Sequence, residues 1–581
     1  MAYYSNAARK ASYPPAGSSF KKSGPQGAGG IKSRSWAKPE ASKERLPRYV
    51  PQDGWNEQFQ TVFDFVENGT GNGCIEAVAG SGKTASIVES IIRCSEKNPS
   101  HKILFVAFNV SIKEEGAKRL AGYNNVDVLT CHGLGYRSLK KAWAGKQFDV
   151  QDSSGPYMRG LVENELGPEK EKADDRDALM DLISKAKMTL TSGAQGMIKL
   201  MDRFNIETGY DRKEFVKYAL KIMEFTKHRA GTTICQGKGG KTFVKAALTF
   251  DDEIWLPIVN DWAVDQYDEV FVDECQDLSK ARRELVAKSV KDSGRIFIVG
   301  DICQAIFGFA CADSNALPEM VEQFNCVSLP LSCSWRCDEL IINEAQQFNP
   351  IITARPNAPA GIVDKCECKE LLEKIEAGDV LISRTNAPLV RVFFQLAKQQ
   401  RKVKFIGRDY GRMLSYRIKC WKRRHDVLVE KGEVCGLFTG QEVLNYNDEW
   451  LRHHSQNKKE SDYKVAADRL RDEWETVVAL TSDLDSALNS VKSVQEILDR
   501  CNVFSPEENK EDKDGKECIT LSSTHRFKGL ERPHVYVLVD TYAPRDANEE
   551  EAHLMYVAIT RAKNWLTYVV GKPEASKKEE A

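Results

Sequence analysis

Two short stretches carry residue types that can handle a phosphate chain. The first is Glu76-Ala77-Val78-Ala79-Gly80-Ser81-Gly82-Lys83-Thr84. Small residues let backbone N–H groups close around phosphate oxygens, and a helix N-terminus behind them favours negative charge. Lys83 supplies a cation for the terminal phosphates and Thr84 a hydroxyl for Mg2+. The stretch departs from G-x-x-x-x-G-K-[ST] at its first position, which is Ala77. The second stretch is Val270-Phe271-Val272-Asp273-Glu274-Cys275-Gln276-Asp277. An apolar strand ending in paired carboxylates can place Asp273 to hold Mg2+ and Glu274 to orient and deprotonate a water. Alone, such a pair also fits a solvated turn; behind a phosphate loop it completes a site for hydrolysing a nucleoside triphosphate.

The surrounding pattern says what must position them. Cys74 to Val78 reads as a strand, and Thr84 to Cys94 as a helix with Ile87, Val88, Ile91 and Ile92 on one face. Further apolar runs predict strands over Ile103 to Phe108, Val270 to Asp273, Ile296 to Val299, Val380 to Ser383 and Val403 to Ile406. Three more fall over Ile519 to Ser522, Val535 to Val539 and Leu566 to Val570. Runs of Val, Ile and Leu without polar alternation suit strands buried on both faces of a parallel sheet. Two intervals, about 135–246 and about 411–516, are rich in charge and helical periodicity and too long for loops, so each predicts an inserted helical subdomain.

The chain has 581 residues, 41% hydrophobic and 29% charged, which suits globular domains. Its formal net charge is −1, so a nucleic-acid surface would have to be a local groove. No apolar run reaches the roughly 18 residues of a membrane span, and we read the chain as soluble, with no membrane partner. Sixteen cysteines are scattered among core segments and fit reduced thiols inside a cell. Cys333 with Cys337, and Cys366 with Cys368, lack the second pair that a zinc site needs. Residues 1–48 are basic, rich in Ser, Gly, Pro and Ala, and acid-poor before Glu40, which predicts a disordered tail. A solvated tail, a nucleic-acid-binding arm and a mitochondrial targeting segment are its three readings, the last weakened by Pro14 and Pro15.

Taken together and in order from Gln58 to Arg561, the motifs resemble those of superfamily 1A helicases of the UvrD/Rep/PcrA type, with the F-box DNA helicase branch and viral or phage relatives the closest flavour. The resemblance covers most of the chain apart from the tail and the two insertions. It implies an α/β fold with two RecA-like parallel-sheet domains forming an ATP cleft, each with a largely helical insertion. The first core domain would be 49–134 with 247–325, interrupted by 135–246. The second would be 326–410 with 517–575, interrupted by 411–516, and 576–581 a charged tail.

Residue by residue, the resemblance implies that Gln58, or alternatively Gln60, reads adenine, and that Ala79, Gly80, Ser81, Gly82, Lys83 and Thr84 hold the phosphates. Thr84 and Asp273 would hold Mg2+, Glu274 would activate water, and Gln304 of Gly300-Asp301-Ile302-Cys303-Gln304 would sense the terminal phosphate. In Ser334-Trp335-Arg336, Trp335 would stack on adenine and Arg336 reach the phosphate. Glu531 would meet the ribose, and Arg561 of Tyr556-Val557-Ala558-Ile559-Thr560-Arg561 would be a second arginine finger.

For single-stranded DNA, the resemblance implies Phe108, Thr130, His132, Phe307, Phe309, Arg384, Asn386, Thr524 and His525. Aromatic faces are sequence-tolerant platforms for unpaired bases, although core packing is the alternative for Phe307 and Phe309. Where relatives carry Arg after the second aromatic, this chain has Ala310. The expectation is an ATP- and Mg2+-dependent 3′–5′ DNA helicase and translocase, monomeric, working at duplex junctions in replication, repair or recombination. The alternatives are a remodeller stripping recombinase or replication proteins from DNA, and a 5′–3′ superfamily 1B helicase. Nucleus or cytoplasm would be its place, with the mitochondrion the alternative that the tail suggests.

Overall fold

The computed structural model describes residues 48–51, 55–169, 172–204, 206–229, 231–236, 242–308, 311, 315–399, 401–406, 429–430, 518–543 and 549–571. Its first sheet is built from β1 (Gly73–Ala77), β2 (Ile103–Val106), β3 (Val126–Leu129), β7 (Tyr267–Val272), β8 (Val290–Gly300) and β9 (Val327–Leu331). They lie in the order β3-β2-β7-β8-β1-β9. Every pairing is parallel. The phosphate-loop strand and the carboxylate strand therefore flank β8 and end at the same edge, where an α/β sheet binds its ligands.

Apolar side chains on both faces fix this sheet. Ile75, Phe105, Phe271, Phe297 and Val299 pack with Phe59, Phe63, Ile87 and Ile91 from the helices Glu57–Asn68 and Lys83–Lys97. On the other face, Val270, Val272 and Ile298 pack with Leu134, Ile254 and Leu285 of the helices Cys131–Ala142, Phe250–Val259 and Lys280–Ala287. Two of these helices cross without a side chain between them: a Cβ on Gly135 would lie 1.9 Å from the Glu253 carbonyl oxygen. Gly135→Ala is expected to cost about 2–3 kcal/mol by forcing the backbones apart. A thermal melt checks this, and an unchanged midpoint would refute the crossing.

Between these helices the chain makes a separate core. Met158, Val162, Leu182, Phe215 and Ile222 come together from the helices Pro156–Leu166, Ala173–Thr189 and Arg212–His228. A three-stranded sheet accompanies them: β4 (Phe148–Gln151) runs parallel to β6 (Thr242–Thr249), which runs antiparallel to β5 (Gly231–Gln236). The expected helical interval 135–246 thus ends in strands, and its limit cuts β6. Both later segments are rich in Thr and β-branched or aromatic residues, which favour the pleated form. Lys187 ties this region to the helix Phe250–Val259 through a buried 2.7 Å contact with Asp252 Oδ1.

After β9 come the two-residue strands β10 (Cys333–Ser334) and β11 (Thr353–Ala354), paired with each other. The second large sheet follows: β12 (Ile362–Glu367), β13 (Val380–Ser383), β14 (Val403–Ile406), β15 (Ile519–Ser523), β16 (Arg532–Leu538) and β17 (Ala562–Val570). Their order is β12-β17-β16-β13-β15-β14, again with parallel pairing throughout. The expected division at 325/326 falls too early, because β9 pairs with β1 and keeps residues 327–331 in the first sheet.

The hydrophobic core of the second sheet takes in Val78, Ala79 and Ile306 from the first, beside Ile341, Val537, Tyr556 and Leu566. Apart from Arg48, which bonds Glu89 at 2.6 Å, the expected N-terminal tail lies outside the described residues. So do the 576–581 tail and, apart from 429–430, the 411–516 interval.

Candidate active site

The phosphate loop turns out of β1 on Gly80 and Gly82, at φ +73° and +89°. Both are left-handed conformations that glycine adopts without strain. At Gly80 there is a second reason, since a Cβ would lie 2.6 Å from Arg336 Cβ and 2.7 Å from Ser334 Oγ. The Gly80 carbonyl also accepts a 2.9 Å bond from Trp335 N–H. Lys83 opens the following helix, and Thr84 lies half-buried in its first turn.

Among the buried polar atoms of this region that have no hydrogen-bond partner are Ser81 Oγ, Lys83 Nζ, Asp273 Oδ2 and Ser334 Oγ. Three are donors and one is a carboxylate oxygen. A triphosphate provides acceptors for the donors and a divalent cation provides charge for the carboxylate, so the residues present fit Mg2+ with a nucleoside triphosphate.

The carboxylate end of β7 is strained and strapped. Glu274 sits at φ +49°, a left-handed conformation costly for a residue with a Cβ. Its N–H donates to Asp273 Oδ1 at 2.9 Å, and Lys83 Nζ lies 3.4 Å from Glu274 Oε1. The Gln276 amide donates to Glu274 Oε2, while its carbonyl accepts the Asp301 N–H at 3.2 Å. Gly300 leaves space for that strap, because a Cβ there would be 2.7 Å from Gln276 Oε1. Burial and the neighbouring Glu274 push Asp273 up. Burial also works to raise Glu274, but Lys83, Lys528 and the Gln276 amide outweigh it and hold that carboxyl down. The pair is therefore split, with Glu274 held toward its ionised form and Asp273 pushed toward its neutral one.

Gln304 is buried, and its amide donates to Asp301 Oδ2 at 2.6 Å. Gln58 donates to Ser332 Oγ at 2.8 Å and accepts Ser332 N–H at 3.2 Å. Gln60 is exposed. The Trp335 ring stands 38% exposed beside the loop.

The second sheet brings its cations to the same place. Arg336 Nε donates to Glu531 Oε2 at 2.5 Å and its NH1 to the Thr560 carbonyl at 3.1 Å. Glu531 is held on its other oxygen by Lys563 at 2.6 Å. Burial would raise the Glu531 carboxyl, but these two cations outweigh it and keep it below the usual range. Arg561 is buried, with its donors on the Val557 and Leu530 carbonyls and Thr560 Oγ1. Burial and the facing Arg336 push its guanidinium down to about 9.

One contact that the sequence did not flag joins the sheets directly. Tyr556 Oη accepts the Ala79 N–H at 3.1 Å and donates to Asp301 Oδ2 at 3.4 Å. The motif around it was visible, but nothing in its spacing pointed this hydroxyl at the phosphate loop.

The residues expected to meet DNA divide into two groups. Phe108 and Phe307 stack at 6.4 Å and 19°, and the Phe307 ring lies 6.4 Å from His525. Burial, Arg384, Lys528 and Arg526 push His525 down to about 3, so near neutral pH it offers a ring and not a charge. His132 Nδ1 lies 3.1 Å from Glu253 Oε2 and is oriented by that buried carboxyl. Arg384 is paired with Glu551 at 2.8 Å, and Asn386 is half-buried before the helix Ala387–Lys398.

The two threonines are turned inward. Thr130 is buried and its hydroxyl caps the helix Cys131–Ala142 by accepting Gly133 N–H at 3.2 Å. Thr524 is fully buried, with its hydroxyl on Tyr542 Oη. Phe309 lies outside the described residues.

Two parallel α/β sheets, with a Gly-rich loop and paired carboxylates at the strand ends of the first and Arg336 against that loop, define a P-loop type of α/β core. Residues 56–325 match the UvrD/REP helicase N-terminal domain, and residues 519–569 match the UvrD-like helicase C-terminal domain. The chain belongs to the UvrD-like superfamily 1 helicases.

It is 23% identical over 537 residues to F-box DNA helicase 1 of Gallus gallus, covering 85% of this chain and 46% of that protein. It is 22% identical over 570 residues to ATP-dependent DNA helicase UvrD2 of Mycobacterium tuberculosis, covering 84% and 75%. A 174-residue stretch is 24% identical to ATP-dependent DNA helicase Rep of Escherichia coli, covering 29% and 25%. The chain thus spans about half the length of the chicken relative and three quarters of the mycobacterial one. Among the described residues, no helix is long and apolar enough to cross a membrane.

Proposed function

We propose that the chain is an ATP-driven motor on single-stranded DNA that opens duplex junctions in the 3′–5′ direction. The observation that carries this reading is the set of buried polar atoms without a partner on Ser81, Lys83, Asp273 and Ser334, with Lys83 beside Glu274 and Ser334 beside Gly80. A triphosphate bound to them would give the two domains a shared ligand. Thr84 and Asp273 would hold Mg2+, which when bound neutralises phosphate charge.

Glu274 then orients water and accepts its proton. Arg336 and Arg561 stabilise charge from the other domain after exchanging their present partners, Glu531 and the Thr560 and Val557 backbone. Their need to move ties hydrolysis to the approach of the domains. Phe108, Phe307 and His525 offer ring faces to unpaired bases, with His132, Arg384 and Asn386 beside the backbone.

The names of the relatives support DNA as the track. ATP use and a place in replication, repair or recombination belong to the same proposal. The test is ATP turnover with and without oligo-dT, together with strand separation on 3′-tailed and 5′-tailed duplexes. Strong DNA stimulation and opening of the 3′-tailed substrate are expected, and Lys83→Ala should abolish both. Opening of the 5′-tailed substrate alone would overturn the polarity. Clearance of a recombinase filament without strand separation would instead make the chain a remodeller.

A further inference from the structure

Lys528 touches three parts of the site at once. It follows the short helix Thr524–Phe527 at the end of β15, so it belongs to the second sheet. Its Nζ lies 2.6 Å from Asp277 Oδ2, 2.6 Å from the Gln304 carbonyl oxygen and 4.9 Å from the centroid of the Phe307 ring. All three recipients belong to the first sheet's loops. The lysine side chain is 8% exposed and that of Asp277 0%, so the pair is closed to water.

Each recipient stands at a different functional point. Asp277 ends the turn Cys275–Asp277 that begins beside Glu274. Gln304 ends the turn Ile302–Gln304, whose leading Asp301 is bonded by Gln276 and Tyr556. Phe307 is the ring that stacks on Phe108. Desolvated charges interact strongly, and removing one partner leaves the other buried and unpaired. The ammonium over the Phe307 face adds an attraction that depends on where the ring sits. A displacement of the ring therefore acts on the turn that carries the carboxylates.

We propose that Lys528 is a positioning residue through which stacking of a base at Phe307 sets the geometry of the Glu274-to-Asp277 turn, so that single-stranded DNA accelerates hydrolysis. This rests on the reading of the chain as a DNA-stimulated ATPase.

The test uses the full chain and the ratio of ATP turnover with saturating oligo-dT to turnover without it. Lys528→Met, which keeps length and removes charge, is expected to lower this ratio at least about tenfold, with the KM for ATP changed less than about threefold. Lys528→Arg should restore much of the ratio. Asp277→Asn should lower it as Lys528→Met does, and the double variant should be no worse than either single one, as expected for two members of one contact.

A folded Lys528→Met protein stimulated as strongly as the parent would overturn the proposal. So would equal losses of stimulation and ATP affinity, the signature of general damage. If Lys528→Met does not fold, Asp277→Asn and Lys528→Arg carry the same comparison. A parent protein without any stimulation would instead overturn the motor reading, and the coupling with it.

Discussion

Replacing Glu274 with Gln is expected to lower DNA-stimulated ATP turnover about a thousandfold while nucleotide affinity stays within a few-fold. The substitution keeps the shape and removes the carboxylate that we propose accepts a proton. The setting of Glu274 suits that proposed task. Its backbone is left-handed, its side chain is strapped by Gln276, and Lys83 and Lys528 hold its carboxyl ionised against burial. Steady-state turnover and binding of a fluorescent ATP analogue separate the two quantities. Turnover within tenfold of the parent would show that another group activates the water.

Arg336→Ala should have a comparable effect on turnover, about 10³-fold, for a different reason. Its guanidinium is 17% exposed at the mouth of the cleft, held by Glu531 and the Thr560 carbonyl, and its loss leaves Glu531 still paired with Lys563. The melting temperature should therefore change little. Arg561→Ala should lose both turnover and about 3 kcal/mol of stability, because it strips a buried donor set from the Val557 and Leu530 carbonyls. A matched pair of thermal melts and turnover assays distinguishes them. Equal destabilisation by the two variants would mean that Arg336 is as structural as Arg561.

The centre of each sheet was legible because strands buried on both faces favour short apolar runs, as in β2 and β13 and in the Ile296–Val299 part of β8. Of the outer strands, β14 was legible, but β3, β9 and β12 were not. β3 is half-exposed, β9 contains Pro330, and β12 is mostly exposed, so their pairing comes from neighbours and not from composition.

Spacing likewise exposed the phosphate loop and the Asp273–Glu274 pair, because their chemistry is local in the chain. Gln276, Lys528 and Tyr556 escaped assignment for the opposite reason. Their partners lie 25, 251 and 477 positions away, at Asp301, Asp277 and Ala79, and no local pattern encodes such contacts. Nor does the motif reveal the partners of Thr130 and Thr524, whose buried hydroxyls bond Gly133 N–H and Tyr542 Oη.

The closeness of Gly80 to Arg336 sets a mechanical property. With room for a hydrogen but not a methyl group between the phosphate loop and the opposite domain, the two bear on each other without an elastic element between them. In the proposed motor, a change in the shape of the loop would pass to the neighbouring domain with little absorbed on the way. A side chain introduced at position 80 would have to displace Arg336 or Ser334 and would jam that contact.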